Sequence, residues 1–217
     1  MSAEKTLMSR FRQSDFLYDF RRSPVTIVSF VIVMVLIVLA ILADLVAPTN
    51  PFDAGSLNLM NGFTPPMEPN AFTGETFILG TDDQGRDLLS AIIFGLRVSL
   101  FVGLTAVILA MVLGVSLGLL AGYRGGWVDS VIMRTADIQV TFPSILIAML
   151  IFGIARGLLP PDLRDEVAIT VLILAIGLSE WVPFARTVRG TTMVEREKEY
   201  VQAARLIGLG SGQIMVR

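Results

Sequence analysis

Cysteine and histidine are both absent from the 217 residues. The first absence excludes disulfides and thiolate nucleophiles, the second excludes Ser–His dyads, and together they remove the common zinc sites. No Gly-x-x-x-x-Gly-Lys-Ser/Thr segment is present to cradle nucleotide phosphates, so the chain is not itself an ATPase of the P-loop kind. No cofactor or metal site is expected. Charge is sparse as well: Asp, Glu, Lys and Arg make up 17% of the chain and the formal net charge is −2, which offers nucleic acid no basic footprint. What fills the chain instead is apolar, 53% of all residues, a composition that belongs in the lipid bilayer. No apolar run carries paired carboxylates, so an intramembrane enzyme is the reading with least support.

Four runs of membrane length follow one another, predicting a polytopic all-α bundle. Residues 25–43 carry no charge and are long enough to cross a hydrocarbon core of about 30 Å at about 1.5 Å per residue. A cleaved signal peptide competes here, but its apolar region is shorter, about 7 to 15 residues. Lys5, Arg10, Arg12, Arg21 and Arg22 precede the run, so the N-terminus is expected in the cytoplasm. Residues 48–97 then hold Pro48, Pro51, Pro65, Pro66 and Pro69 with Asp53, Glu68, Glu75, Asp82, Asp83 and Asp87, and up to Ser90 only Arg86 is basic. This loop is expected outside, irregular in its first half and ending in a capped interfacial helix before the chain turns into the membrane. Its acidic cluster lacks the alternate spacing of an EF-hand and reads as helix capping plus a pair with Arg86.

In the second run, 98–122, Ala106, Ala110, Gly114, Gly118 and Gly122 recur every fourth residue. Such a ridge of missing side chains lets helices approach closely, which makes Gly114, Gly118 and Gly122 candidate packing residues; the general frequency of glycine in membrane helices is the competing account. Residues 123–137 are expected as a short polar link, and Pro143 is expected to bend or begin the third run, 138–155. Residues 156–166 form the next outer loop, and 167–185 the fourth run. Glu180 is the one ionisable residue deep in that run. A carboxylate there needs a watery cavity, a partner helix or the cytoplasmic interface, and Trp181 beside it favours the interface.

After 185 come Arg186, Arg189, Arg196, Lys198, Arg205 and Arg217, on the side that four alternating spans make cytoplasmic. In this region, 190–217, Thr192 and Glu195 form a capping-box pattern and Gly208 is a natural helix stop. Tyr200, Ala203, Ala204 and Ile207 fall at i, i+3, i+4 and i+7 as one apolar stripe, with Glu199, Gln202 and Arg205 on the other face. Two of the stripe residues are alanine, so a partner's backbone or large side chain can come close. An amphipathic helix lying on the membrane surface remains the alternative.

The segment Gln202-Ala203-Ala204, followed by Gly208, resembles the cytoplasmic coupling motif of ABC-importer permeases, with Gln202 where that motif has Glu. Leu79-Gly-Thr-Asp-Asp-x-Gly-Arg-Asp87 and Gly95-Leu-Arg-x-Ser-Leu100 are similar to the signature of the second permease subunit of dipeptide, oligopeptide and nickel importers. The likeness continues at Gly122-Tyr-Arg-Gly-Gly-Trp-Val-Asp129, at Phe142-Pro143-Ser144 and at Arg21-Arg-Ser-Pro24, in the same order along nearly the whole chain. The resemblance implies a type I ABC-importer permease in a prokaryotic inner membrane. It divides the chain into an N-terminal region, 1–97, and a permease core, 98–217, and implies two further helices beyond Arg217. It assigns Glu199, Tyr200, Gln202, Ala203, Ala204, Ile207 and Gly208 to coupling with an ATPase. It also implies the partners: a homologous second permease subunit, two P-loop ATPases that use the ATP, and an extracytoplasmic binding protein that delivers di- or oligopeptides. Nickel, opines or glutathione are alternative solutes. From other classes, a membrane anchor recruiting a soluble protein and a secondary transporter are the rivals, the latter disfavoured by the few intramembrane charges available for ion coupling.

Overall fold

A computed structural model describes residue 20 and residues 22–53, 55, 57–160, 163–164 and 167–216. The basic tail at Lys5, Arg10, Arg12 and Arg21, and the part of the 156–166 loop at Pro161, Asp162, Asp165 and Glu166, lie outside the described residues. The regular structure among them is helical, with two isolated β-bridges, Pro69 with Thr76 and Thr81 with Asp87. The chain forms two compact units, 1–100 and 101–217.

In the first unit, α1 (Pro24–Ile41) begins where Ser23 accepts a hydrogen bond from the Thr26 amide and Pro24 supplies a preset φ. Apolar side chains cover every face of α1, and of its residues only Ala40 is buried within the protein. A helix apolar all round and unburied is stable only in an apolar solvent, which for 18 residues means the bilayer. Its C-terminal carbonyls are not left bare. Arg97 donates to Ala40 O (2.9 Å) and Ile41 O (3.1 Å) and pairs with Asp44 (2.8 Å), in the short α2 (Ala43–Val46). The guanidinium hydrogen bond holds the Asp44 carboxyl below its ordinary value, as a cation at a helix C-terminus should.

The 47–87 loop has one short 3₁₀ turn, Leu59–Asn61, and is held by polar side chains. Thr64, Asn70 and Thr81 are buried and interlinked, with Asn70 donating to Thr64 Oγ1 (2.7 Å) and Thr64 N donating to Thr81 Oγ1 (2.9 Å). Asp82 pairs with Arg86 at 2.7 Å, and Asp87 accepts from Ser90 N (3.0 Å) at the start of α3 (Leu88–Arg124), so the acidic cluster caps and pairs as expected. Gly85, at φ +76°, is obligatory in the intervening turn, because a Cβ there would lie 2.1 Å from Asn58 O.

α3 corrects the expected interfacial helix and separate span from Val98. Its 37 residues run unbroken for about 55 Å at 1.5 Å per residue. No proline occurs between Pro69 and Pro143, so nothing in this stretch interrupts the hydrogen-bond ladder.

In the second unit, the link expected at 123–137 is instead mostly helical. Gly125 (φ +63°) and Gly126 (φ +56°) turn the chain, and α4 (Gly126–Val140) follows. Pro143 ends it, and α5 (Ser144–Leu158) leaves at 94° to α4. The third run is thus bent at Pro143 as expected, but the helical pair begins at Gly126 and ends at Leu158, wider than 138–155 on both sides. α6 (Ala168–Ser179) packs against α5, then breaks at Glu180, after which α7 (Trp181–Glu195) continues well past the expected end at 185. Among the described residues three helical stretches are long and apolar enough to cross a membrane, Pro24–Ile41, Leu88–Arg124 and Ala168–Glu195; the bent pair makes a fourth only if it crosses once. A small core joins Ala136 of α4 to Trp181, Val182 and Ala185 of α7, with Leu113 and Leu117 of α3 against it.

Candidate functional site

The second unit is built on the close approach of α3 to α7. A Cβ on Gly114 would lie 2.5 Å from Trp181 O, one on Gly118 would lie 2.4 Å from Ala185 O, and one on Gly122 would lie 2.8 Å from Arg189 O. The glycine ridge therefore faces helix backbone along three turns, and Ala106 and Ala110 in the same register are fully buried. Two ion pairs then clamp α4 to α7. Arg189 grips Asp129 through both carboxylate oxygens, with Nη2 to Oδ2 at 2.6 Å, and Arg186 pairs with Asp137 at 2.7 Å. Arg196, just beyond α7, donates to Gly122 O (3.0 Å) at the open end of α3. Asp129, Asp137 and Arg196 carry no signal of these roles in the sequence, because their partners lie tens of residues away.

From this frame projects α8 (Glu199–Leu206). It does not start from a Thr192–Glu195 capping box. Thr192 lies inside α7 and donates to Val188 O (2.7 Å), and a turn over 196–198 precedes α8. That turn is tied by Glu195, which accepts from Lys198 Nζ and from Tyr200 Oη, both at 2.6 Å. These bonds raise the pKa values of the Lys198 ammonium and the Tyr200 phenol. Gly208 does stop the helix, at φ +84°: Leu209 N donates to Ala204 O (3.2 Å) and Gly208 N to Arg205 O (3.0 Å), the two bonds of a Schellman motif.

The expected apolar stripe is divided. Val201, outside that stripe, is the buried anchor, and Ala204 is partly buried beside it. Tyr200 (62%) and Ile207 (77%) are exposed, as are Ala203, Gln202, Glu199 and Gly208. Beneath α8 opens a cavity of about 470 Å³ lined by Tyr123, Arg196, Val201, Ala204 and Ile214, among others, and Arg205 stacks over the Tyr123 ring at 5.2 Å. The helix is thus held on one side and bare on the other.

Two family models match the chain, one described as binding-protein-dependent transport system inner membrane component over residues 114–217, the other as the N-terminal transmembrane domain of oligopeptide transport permease C over residues 12–66. The chain is 31% identical to the oligopeptide transport system permease protein OppC of Bacillus subtilis over 94% of its own length and 60% of that protein. It is 30% identical to the dipeptide transport system permease protein DppC of Haemophilus influenzae, over 93% of the chain and 63% of that protein. It is 31% identical to the glutathione transport system permease protein GsiD of Pectobacterium atrosepticum, over 99% and 64%. The chain belongs to the inner-membrane permease family of binding-protein-dependent transport systems. It spans less than two thirds of the length of these permeases. In this permease chain the first match begins at the glycine ridge and takes in α4 to α9 (Ser211–Val216), while the second takes in α1 and the first part of the loop.

Proposed function

We propose that the chain is a membrane-spanning subunit of an ATP-driven importer of di- or oligopeptides, and that α8 couples it to separate ATPase subunits. The observation that carries this reading is the pairing of a firmly held helix with an exposed strip, Tyr200, Ala203 and Ile207, at i, i+3 and i+7. A groove on a closing ATPase that gripped this strip would move α8, and Arg196, Arg189 and the glycine ridge would carry the displacement into α7 and α3 as one rigid body. Glu199, Gln202 and Gly208 complete the contact surface. The peptide solute is supported by relatives named for oligopeptide, dipeptide and glutathione transport. On this reading the partners are a homologous permease subunit, two P-loop ATPases and an extracytoplasmic binding protein, and the N-terminus and α8 are both cytoplasmic.

The test uses the complete transporter in membranes. An Ala203→Cys variant places a single cysteine in this sequence, which has none of its own. A short bifunctional crosslinker is expected to join that position to an ATPase subunit, with a yield that changes between nucleotide-free and ATP-bound states. Crosslinks found only to lipid would leave α8 a surface anchor and overturn the coupling role.

A further inference from the structure

The two helix breaks of the second unit meet each other. Pro183 lacks an amide hydrogen, and its ring clashes with the carbonyl four residues back, so the α6 ladder stops at Ser179. The carbonyls freed there find a partner on the other broken helix pair. Gln139, one turn before Pro143, donates its carboxamide to Ser179 O (2.8 Å) and Leu178 O (3.1 Å) and accepts from Trp181 Nε1 (2.8 Å). Irregular backbone at membrane depth is tolerated where it lines a cavity, and a cavity of about 290 Å³ lies here. Its wall is polar at Gln139, Ser144 and Ser179 and apolar at Phe142 and Ile147.

Glu180 also lines this cavity. It is partly buried, and among the described residues its carboxylate has neither a hydrogen-bond nor an ion-pair partner. Arg186, the nearest cation in sequence, is committed to Asp137. Glu180 stands 12 residues after Ala168 in the 28-residue helical stretch Ala168–Glu195, so it is at neither end of that stretch. An unneutralised carboxylate so placed is costly unless a cation visits it.

We infer that this cavity is a subsite for a cationic group of the transported solute, with Glu180 as its anion and Gln139 holding the broken backbone open around it. This rests on the importer reading above. A primary ammonium fits the chemistry: three donors can meet the carboxylate and the Ser144 and Ser179 hydroxyls, and the apolar wall accepts the attached carbon chain. The size suits one residue of a peptide rather than a whole oligopeptide, on the scale of about 30 Å³ per water.

The complete transporter, reconstituted in proteoliposomes with its binding protein, tests this with Lys-Lys, Ala-Ala and Glu-Glu as solutes. Glu180→Gln keeps the side-chain shape and removes the charge. Uptake of Lys-Lys relative to Ala-Ala should fall about tenfold, the worth of one charge-assisted hydrogen bond, while Glu-Glu should hold or gain. Glu180→Asp should keep the wild-type order. Equal loss for all three peptides would make Glu180 a merely structural residue, and no change for any would leave it a bystander; either result overturns the subsite. Wild-type vesicles that take up no peptide with ATP would instead overturn the importer reading, and the subsite with it.

Discussion

A methyl group built on Gly118 would lie 2.4 Å from the Ala185 carbonyl oxygen and 3.0 Å from its Cα. Backbone cannot rotate aside as a side chain can, so a larger residue there must separate α3 from α7. Gly118→Leu is expected to destabilise by about 3 kcal/mol or more, at the upper end of overpacking, and to lower the apparent melting temperature of the detergent-solubilised complex by about 6 °C or more. Gly153→Leu is the matched control, since a Cβ on Gly153 meets nothing within 4 Å. Equal melting of the two variants would refute the ridge. The ridge was legible in the sequence because small residues at every fourth position on one helix carry their own period. The Arg189–Asp129 clamp beside it was not, because 60 residues separate the partners and each alone reads as an ordinary charge.

At the scale of elements, the same division between local and distant causes recurs. The bend at Pro143 and the stop at Gly208 follow from backbone chemistry within a few residues, and both stand where the sequence places them. The helical character of 126–140 was hidden because the partners of Asp129 and Asp137 lie on the distant α7, and the start of α8 was displaced because Thr192 prefers the α7 ladder to a cap. The Asp82 turn is a local device whose pH dependence can be worked out. Burial pushes the Asp82 carboxyl upward, but hydrogen bonds from the Arg86 amide, the Arg86 guanidinium and the Gln84 amide outweigh it and hold its pKa below the ordinary carboxyl value. A depressed folded value means that the stabilisation is present above the unfolded value, near 3.9, and is lost as pH falls through the folded one. Hydrogen exchange at the Gln84 and Arg86 amides, each 2.9 Å from Asp82 Oδ1, should therefore be protected at pH 5 and lose that protection below about pH 4. In Asp82→Asn the protection should be weaker throughout and no longer depend on acidity; an unchanged profile would show that these amides are held by something else.

For the whole molecule the open question is one of parity. Between the 47–87 loop and α8 the chain passes through α3, the bent α4–α5 pair, and the α6–α7 stretch. If the bent pair crosses the membrane once, the two regions lie on opposite sides; if it is re-entrant, they lie on the same side. The positive-inside rule counts Lys and Arg and gives little weight to their acidic partners. The ion pairs of Arg186, Arg189, Arg196 and Lys198 therefore do not weaken the proposed cytoplasmic placement of α8, and the same rule leads us to propose the acid-rich loop outside. Phe72→Cys and Leu206→Cys, at positions 80% and 88% exposed, make the decision accessible in a chain without native cysteine. A membrane-impermeant maleimide should label the first in spheroplasts and the second only after permeabilisation. Labelling of both from outside would make α4–α5 a re-entrant hairpin and put α8 out of reach of any cytoplasmic ATPase, whereas the opposite-sided result requires the 94° bend to lie within a single crossing.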